Sequence, residues 1–190
     1  MSLRPIITLP DPVLRQISTP VERFDDELKQ LSADMLETMY GAPGIGLAAV
    51  QVAVPKRLIV LDVGEEDDGD DNGDTLAGTD AAPADKKPVV RNPLVFVNPR
   101  IVMLGDEMRE YEEGCLSLPD VRIDIERPST LTVTYQDLEG KPHEMAAGGL
   151  LATALQHEID HLDGKLIIDF LTRLKRDMVI RRFKKQARQV

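Results

Sequence analysis

The chain has 190 residues, 42% of them hydrophobic and 29% charged, so it is long enough to bury a substantial core and is neither a disordered tract nor a fibrous repeat. Its formal net charge of -10 comes largely from one stretch, the nine acids between residues 64 and 85, which have no Lys or Arg among them. A single cysteine, Cys115, excludes an internal disulfide and leaves one thiol for chemistry. In chain order, Phe24, Leu28, Leu31, Met35 and Met39 recur at three- and four-residue intervals behind Asp25, Asp26 and Glu27, which predicts a helix over 25–40 with one buried face. Short β-branched runs at 45–52 and 57–63 read as strands. Residues 64–91 are rich in Asp, Gly, Ala and Thr and poor in large apolar side chains. They are expected to form an acidic, solvated surface insertion, in preference to a calcium loop, whose regular Asp spacing is absent.

Runs 94–103 and 130–136 read as further strands; in the second, Leu131, Val133 and Tyr135 alternate with polar residues, the period of a half-buried antiparallel strand. A helix follows over 150–162 and stops at Gly164. Over 166–190 basic density rises, with Leu171, Leu174 and Met178 as the expected inward stripe of a last helix and Arg182 intruding on it. The order predicts one α+β domain over 1–190: a mostly antiparallel sheet packed around a central helix, with helices towards both ends. The longest uncharged apolar run, broken by Gly and Pro, is too short to span a bilayer, and no apolar leader opens the chain, so a protein without membrane span or cleaved address is expected.

The 150–162 helix carries His157-Glu158-Ile159-Asp160-His161. Imidazoles four residues apart share a helical face at a spacing one metal ion bridges, and the adjacent Glu lies beside the open coordination positions, so HExxH points to metal-assisted hydrolysis. A third ligand is needed. Downstream of Gly164 the acids are Asp169 and Asp177 alone, with no histidine, whereas upstream Glu113-Gly114-Cys115-Leu116-Ser117 offers a thiolate, which with two imidazoles leaves a fourth position for water. The alternative for Cys115 alone is a small buried hydrophobe. His143, in a polar stretch after Pro142, reads as a surface residue. Gly44-Ile45-Gly46-Leu47-Ala48-Ala49-Val50-Gln51 allows close backbone approach and ends in an amide; it lacks the Lys-Ser/Thr of a phosphate loop and the third Gly of a dinucleotide fingerprint.

Together GIGLAAVQ, EGCLS and QHEIDH, in this order, resemble the three signature motifs of the peptide deformylases, and the opening residues 9–15 and Gly149-Leu150 are similar to the family as well. The resemblance covers nearly the whole chain, departing from many members in the long acidic insertion. It implies a metal-dependent hydrolase that removes the N-formyl group from the formylmethionine of nascent polypeptides and releases formate. It also implies Cys115, His157 and His161 as metal ligands, Glu158 as general acid and base, and Gln51 with the Leu116 backbone amide as oxyanion stabilisers. The resemblance also implies an ion pair between Arg127 and Asp160. Glu113 and Arg122 look like positions that contact a peptide backbone or support the wall, with Gly46 and Gly114 beside them. Ile45, Leu116, Leu150 and Ala154 are candidates for the methionine slot; Leu150 and Ala154 lie on the helical face of the two histidines. The cofactor implied is one divalent ion per chain, Fe2+ natively, with Zn2+, Ni2+ or Co2+ tolerated. The implied setting is a bacterial-type cytoplasm, with ribosome contact through the basic C-terminal helix; no base-reading motif for sequence-specific DNA is present. The competing readings are an HExxH metallopeptidase and a non-enzymatic metal-binding or redox module.

Overall fold

The computed structural model describes residues 2–64 and 91–188. The acidic insertion, and with it the question of a calcium loop, lies outside the described residues apart from its two ends. Helix α1 spans Asp26–Gly41, and the Asp25 carboxylate caps it by accepting from the Leu28 N–H at 3.2 Å. Strands β1 (Gly46–Ala48), β2 (Leu58–Leu61), β3 (Leu94–Leu104), β6 (Thr130–Gln136) and β7 (Pro142–Gly148) form one sheet in the order β1-β2-β3-β6-β7, antiparallel throughout. Strands β4 (Met108–Cys115) and β5 (Leu118–Pro128) make a separate antiparallel pair. Helices α2 (Gly149–Leu162) and α3 (Arg173–Gln186) complete the α+β architecture.

All four residues of β2 are buried because helices cover both faces of the sheet there. Ile59 and Leu61 pack with Leu155, Ile159 and Leu162 of α2, while Leu58 and Val60 pack with Leu28, Met35 and Met39 of α1. The alternation of the strand thus sorts two cores. A third cluster joins Ile123 and Ile125 of β5 to Leu9 and Leu14 from the start of the chain and to Leu166, Ile167, Ile168 and Phe183 near its end.

Three expectations are corrected. The 45–52 run is a strand only over Gly46–Ala48; Ala49–Val52 is a 3-10 turn, since Gln51 folds back so that its side-chain carbonyl accepts the Ala48 N–H at 2.8 Å, and Ala53 leaves in the left-handed region at φ 61°. Chain 166–190 is not one helix: Ile167–Phe170 is a 3-10 turn, and α3 begins at Arg173. Its inward face is Val179, Ile180 and Phe183, whereas Leu174 and Met178 are exposed. Nine positions separate Leu174 from Phe183, half a rotation around the helix axis, so both cannot face the body. Arg176 occupies the inward side near the start of α3 and pairs with Asp169 at 3.8 Å.

Two further ties matter below. Asp62, at the end of β2, binds both ends of the insertion: its Oδ1 accepts from Gly64 N–H (3.0 Å) and its Oδ2 from Asn92 N–H (3.1 Å) and the Tyr40 hydroxyl (2.6 Å). Arg91 lies over the Tyr40 ring at 4.0 Å, and burial, then the bond to Asp62, pushes the Tyr40 phenol up to about 12. Asn98, at φ 52°, marks a register shift between β3 and β6 and ties the chain start to the sheet, accepting from Val21 N–H (2.8 Å) and donating to Val21 O (2.9 Å) and Gln136 Oε1 (2.8 Å).

Candidate active site

Helix α2 runs through the centre of the molecule and touches strands of both sheets, so its polar residues are brought into the interior. His157, Glu158 and His161 are 8%, 5% and 1% exposed. Cys115, last residue of β4, meets them: one ligand atom each from Cys115, His157 and His161 lie within 4.8 Å of one another, and Cys115 Sγ is 3.2 Å from His161 Nε2. One thiol and two imidazoles converging on a point are the donor set of a transition-metal site with an open position. Such a convergence explains why these groups are buried together without saturating each other.

The orientation of His157 is fixed from outside this trio. Its Nδ1 lies 2.8 Å from Glu113 Oε2, and since an ionised carboxylate only accepts, the ring carries its proton on Nδ1 and presents Nε2. Burial alone would raise the Glu113 carboxyl, but hydrogen bonds from His157 and Arg127 hold it below its ordinary value, so it stays ionised. Arg127 Nε and Nη2 bracket it at 2.5 and 3.1 Å, and Nη1 donates to Asp160 Oδ2 at 2.8 Å, so the Arg127–Asp160 pair is present. Glu113 therefore does not face a peptide groove. It is 4% exposed and both of its oxygens are engaged inward, which is the wall-supporting half of its expectation.

Glu158 stands beside the trio with Oε2 buried and without a hydrogen-bond partner among the described residues. Burial pushes its carboxyl up to about 7, with His157 opposing and Glu113 adding to the shift. Burial, reinforced by His157 and Arg127, holds His161 well below the usual imidazole value. His157 is disfavoured by burial too, yet its contacts with Cys115 and Glu113 outweigh that and lift it well above. The backbone of β1 presses against this carboxylate: a Cβ at Gly46 would lie 2.5 Å from Glu158 Oε1 and 2.8 Å from Leu61 Cδ2. At Gly44 it would meet Leu116 Cδ1 at 2.7 Å. The two glycines of GIGLAAVQ are thus explained by close approach, to the carboxylate and to Leu116.

Gln51 is 1% exposed; its Nε2 donates to Ser117 Oγ at 3.0 Å and points to Cys115 Sγ at 3.7 Å. Ser117, which sequence reasoning passed over, is fully buried and holds this amide at the thiol. Arg122 is exposed, and its guanidinium lies across Gly114, where a Cβ would be 2.9 Å from Nη1. Of the apolar candidates, Ile45 is 36% exposed, Leu116 and Leu150 are half-buried, and Ala154 is 6% exposed within the α2–sheet core. His143 lies far along the sheet on β7, exposed, bonded to Asp137 at 2.8 Å and stacked on Tyr135.

Residues 3–177 match the family model described as "Polypeptide deformylase". The peptide deformylase of Rhizobium meliloti is 54% identical over 188 residues, covering 99% of this chain and 96% of its own length. A peptide deformylase crystal structure from Legionella pneumophila is similar at TM-score 0.78 with 41% identity, over 99% of this chain and 97% of the other. That of Ehrlichia chaffeensis in complex with actinonin is similar at TM-score 0.82 with 39% identity, over 98% of both chains.

Proposed function

The chain belongs to the polypeptide deformylase family, and from that membership we infer that it hydrolyses the N-formyl group of formylmethionine at the start of newly made polypeptides, releasing formate. The observation that carries this reading is the buried Glu158 carboxyl, unpartnered at Oε2, beside the converging Cys115, His157 and His161. These three would hold a divalent ion, which when bound supplies a Lewis acid and a water that ionises near neutral pH. Glu113 holds a proton on His157 Nδ1, so Nε2 is the atom that would face the ion once the ion displaces the proton there.

Glu158, at about 7, can take a proton from the attacking water and pass it to the departing amine, since neither its acid nor its base form is strongly favoured at working pH. As the formyl oxygen gains charge, the Leu116 N–H and the Gln51 N–H now aimed at Cys115 Sγ would turn to it, each donor being worth about 3 kcal/mol in such a role. Ser117 and the Ala48 N–H hold the rest of the Gln51 amide while it does so. Ile45, Gly46, Leu116, Leu150 and Ala154 would form the methionine slot, and Arg122 with Gly114 would meet the peptide backbone beyond it. The deciding experiment is formate release from formyl-Met-Ala-Ser by the parent chain and by Glu158→Ala. Turnover should vanish with bound metal retained; full activity in the variant would sink the mechanism. Cleavage of internal peptide bonds would instead favour the metallopeptidase reading, and metal binding with no turnover in the parent the non-enzymatic one.

The native ion in this reading is Fe2+, the Cys115 thiolate being soft enough for zinc, nickel or cobalt to replace it. The whole chain acts as one domain, in the cytoplasm, where formylated chains are made. No helix among the described residues is long and apolar enough to cross a membrane. Contact with the ribosome would fall to the end of α3 and the residues after it, where Arg181, Lys184, Lys185 and Arg188 line an open recess of about 350 Å³ suited to phosphates. Deleting residues 181–190 should weaken salt-sensitive ribosome binding; identical affinity without the tail would refute that contact.

A further inference from the structure

Phe170 is a large aromatic side chain, 49% exposed, that belongs to none of the three apolar clusters, although Ile167, Ile168 and Leu171 around it all join the third. Burial in a core therefore does not account for its place. What its ring meets is a cation: the Arg127 guanidinium carbon lies 4.8 Å from the ring centroid. The turn that carries Phe170 is firmly held. Asp169 accepts from the Leu166 N–H at 2.9 Å and from both terminal nitrogens of Arg15, and Ile167 and Ile168 are buried against the β4–β5 pair.

Arg127 is 6% exposed, and the Phe170 ring covers one face of its guanidinium. Its nitrogens are spent edge-on, two on Glu113 and one on Asp160, and Glu113 in turn holds His157 Nδ1. Attraction between a guanidinium and a carboxylate grows as water is kept away from them, and an aromatic ring over the cation both excludes water and favours the charge. A continuous series of contacts, Phe170 to Arg127 to Glu113 to His157, so runs from the surface to a proposed metal ligand.

We propose that Phe170 is a positioning residue for the metal centre: its ring seals the open face of Arg127, which locks the Glu113 carboxylate and, through it, the His157 imidazole. The inference rests on the assignment of His157 as a metal ligand. Loss of a group directly bonded to a ligating histidine weakens metal binding by about 10- to 100-fold; Phe170 acts through Arg127 on the one such group, Glu113, so its removal should cost about 3- to 10-fold. A substitution that merely loosened the surface turn would leave the metal's surroundings unchanged.

The test uses cobalt(II) as probe on the full chain, with affinity measured by chelator competition and the ligand field read from the visible absorption bands, for the parent, Phe170→Ala, Phe170→Leu and Phe170→Tyr. Ala and Leu should weaken cobalt binding and shift its bands, and Tyr, which restores the ring, should return both to parent values. Parent-like affinity and spectrum in Phe170→Ala would overturn the proposal and leave the metal centre standing. Full rescue by Leu would overturn it also, by showing that bulk suffices. Should Ala fail to fold, the Leu and Tyr pair decides alone. No cobalt uptake by the parent chain would overturn the metal-centre reading, and this proposal with it.

Discussion

Gly46→Ala tests whether the backbone of β1 sets the position of the Glu158 carboxylate. The new methyl carbon would stand 2.5 Å from Glu158 Oε1 and 2.8 Å from Leu61 Cδ2, well inside van der Waals contact. The strand cannot back away, because Gly46 pairs with Leu61 and Ala48 with Ile59, and the Asp62 N–H donates to Ile45 O at 2.9 Å. Leu61 is fully buried, so the softer neighbour is the Glu158 side chain, which must move by about 0.5–1 Å to restore ordinary contact. A displacement near 1 Å in a reacting group costs on the order of 10²-fold in turnover. Overpacking should add a stability loss of about 1–3 kcal/mol. The assay is formate release from formyl-Met-Ala-Ser alongside metal content and a thermal melt. Metal content should hold, since Cys115, His157 and His161 lie outside the clash, and the fall should appear in kcat. Gly44→Ala is the contrast: its methyl meets Leu116, so KM should rise more than kcat falls. Gly46→Ala turnover within about two-fold of parent, in a folded and metal-loaded protein, would refute the claim that Glu158 works from this position.

Asn98→Ala should destabilise the fold by about 2–4 kcal/mol in urea unfolding, because it removes bonds to Val21 and Gln136 and leaves a non-Gly residue at φ 52° without the side chain that favours it. At low pH, Asp169 is the group to watch. Burial would raise its carboxyl, but the Arg15 hydrogen bonds, the Leu166 N–H and the charges of Arg15 and Arg176 hold it below its ordinary 3.8. Its stabilising contribution is therefore complete above about pH 4–5 and lost as pH falls through the depressed folded value, so Asp169→Asn should flatten the acid limb of a pH–Tm profile; an unchanged limb would exclude it. The iron form should lose activity in air while the nickel form keeps it, since a partly accessible thiolate beside ferrous iron is open to oxidation; equal air stability of metal-verified forms would count against the Fe2+ assignment.

The sequence made the ligand helix legible because His157 and His161 sit one helical turn apart in a segment whose apolar residues otherwise repeat with the same period. It hid the β4–β5 pair, which the structure shows carrying Cys115, Glu113 and Arg127. In β4 the inward parity holds Arg109, Tyr111 and Glu113, so charges stand where a strand pattern should show apolar residues. Strand β7 buries Ala147 alone and gives almost no alternation. On α3 the apolar residues split between two faces, and Leu174 and Met178 drew the stripe to the wrong one, because Arg176 occupies an inward position through its pair with Asp169. Gln51 and Glu113 were visible as residues but not as contacts, since the amide meets Ser117 and Cys115, and the carboxylate Arg127 and His157, only once the β4–β5 pair packs between the Gln51 turn and α2.

The Asp62 carboxylate has a use for protein engineering. Because it grips Gly64 and Asn92 together, β2 and β3 are joined there by their own contacts and not by the length of chain between them. The closure cost of a loop grows by only about 0.6 kcal/mol per doubling of its length, so a longer tether, an affinity handle or a whole guest domain can be inserted between those two points with the sheet register kept. Such a graft would ride on the Tyr40 side of the sheet, near Ile45. A fluorescent or crosslinking guest placed there would report on what approaches Ile45.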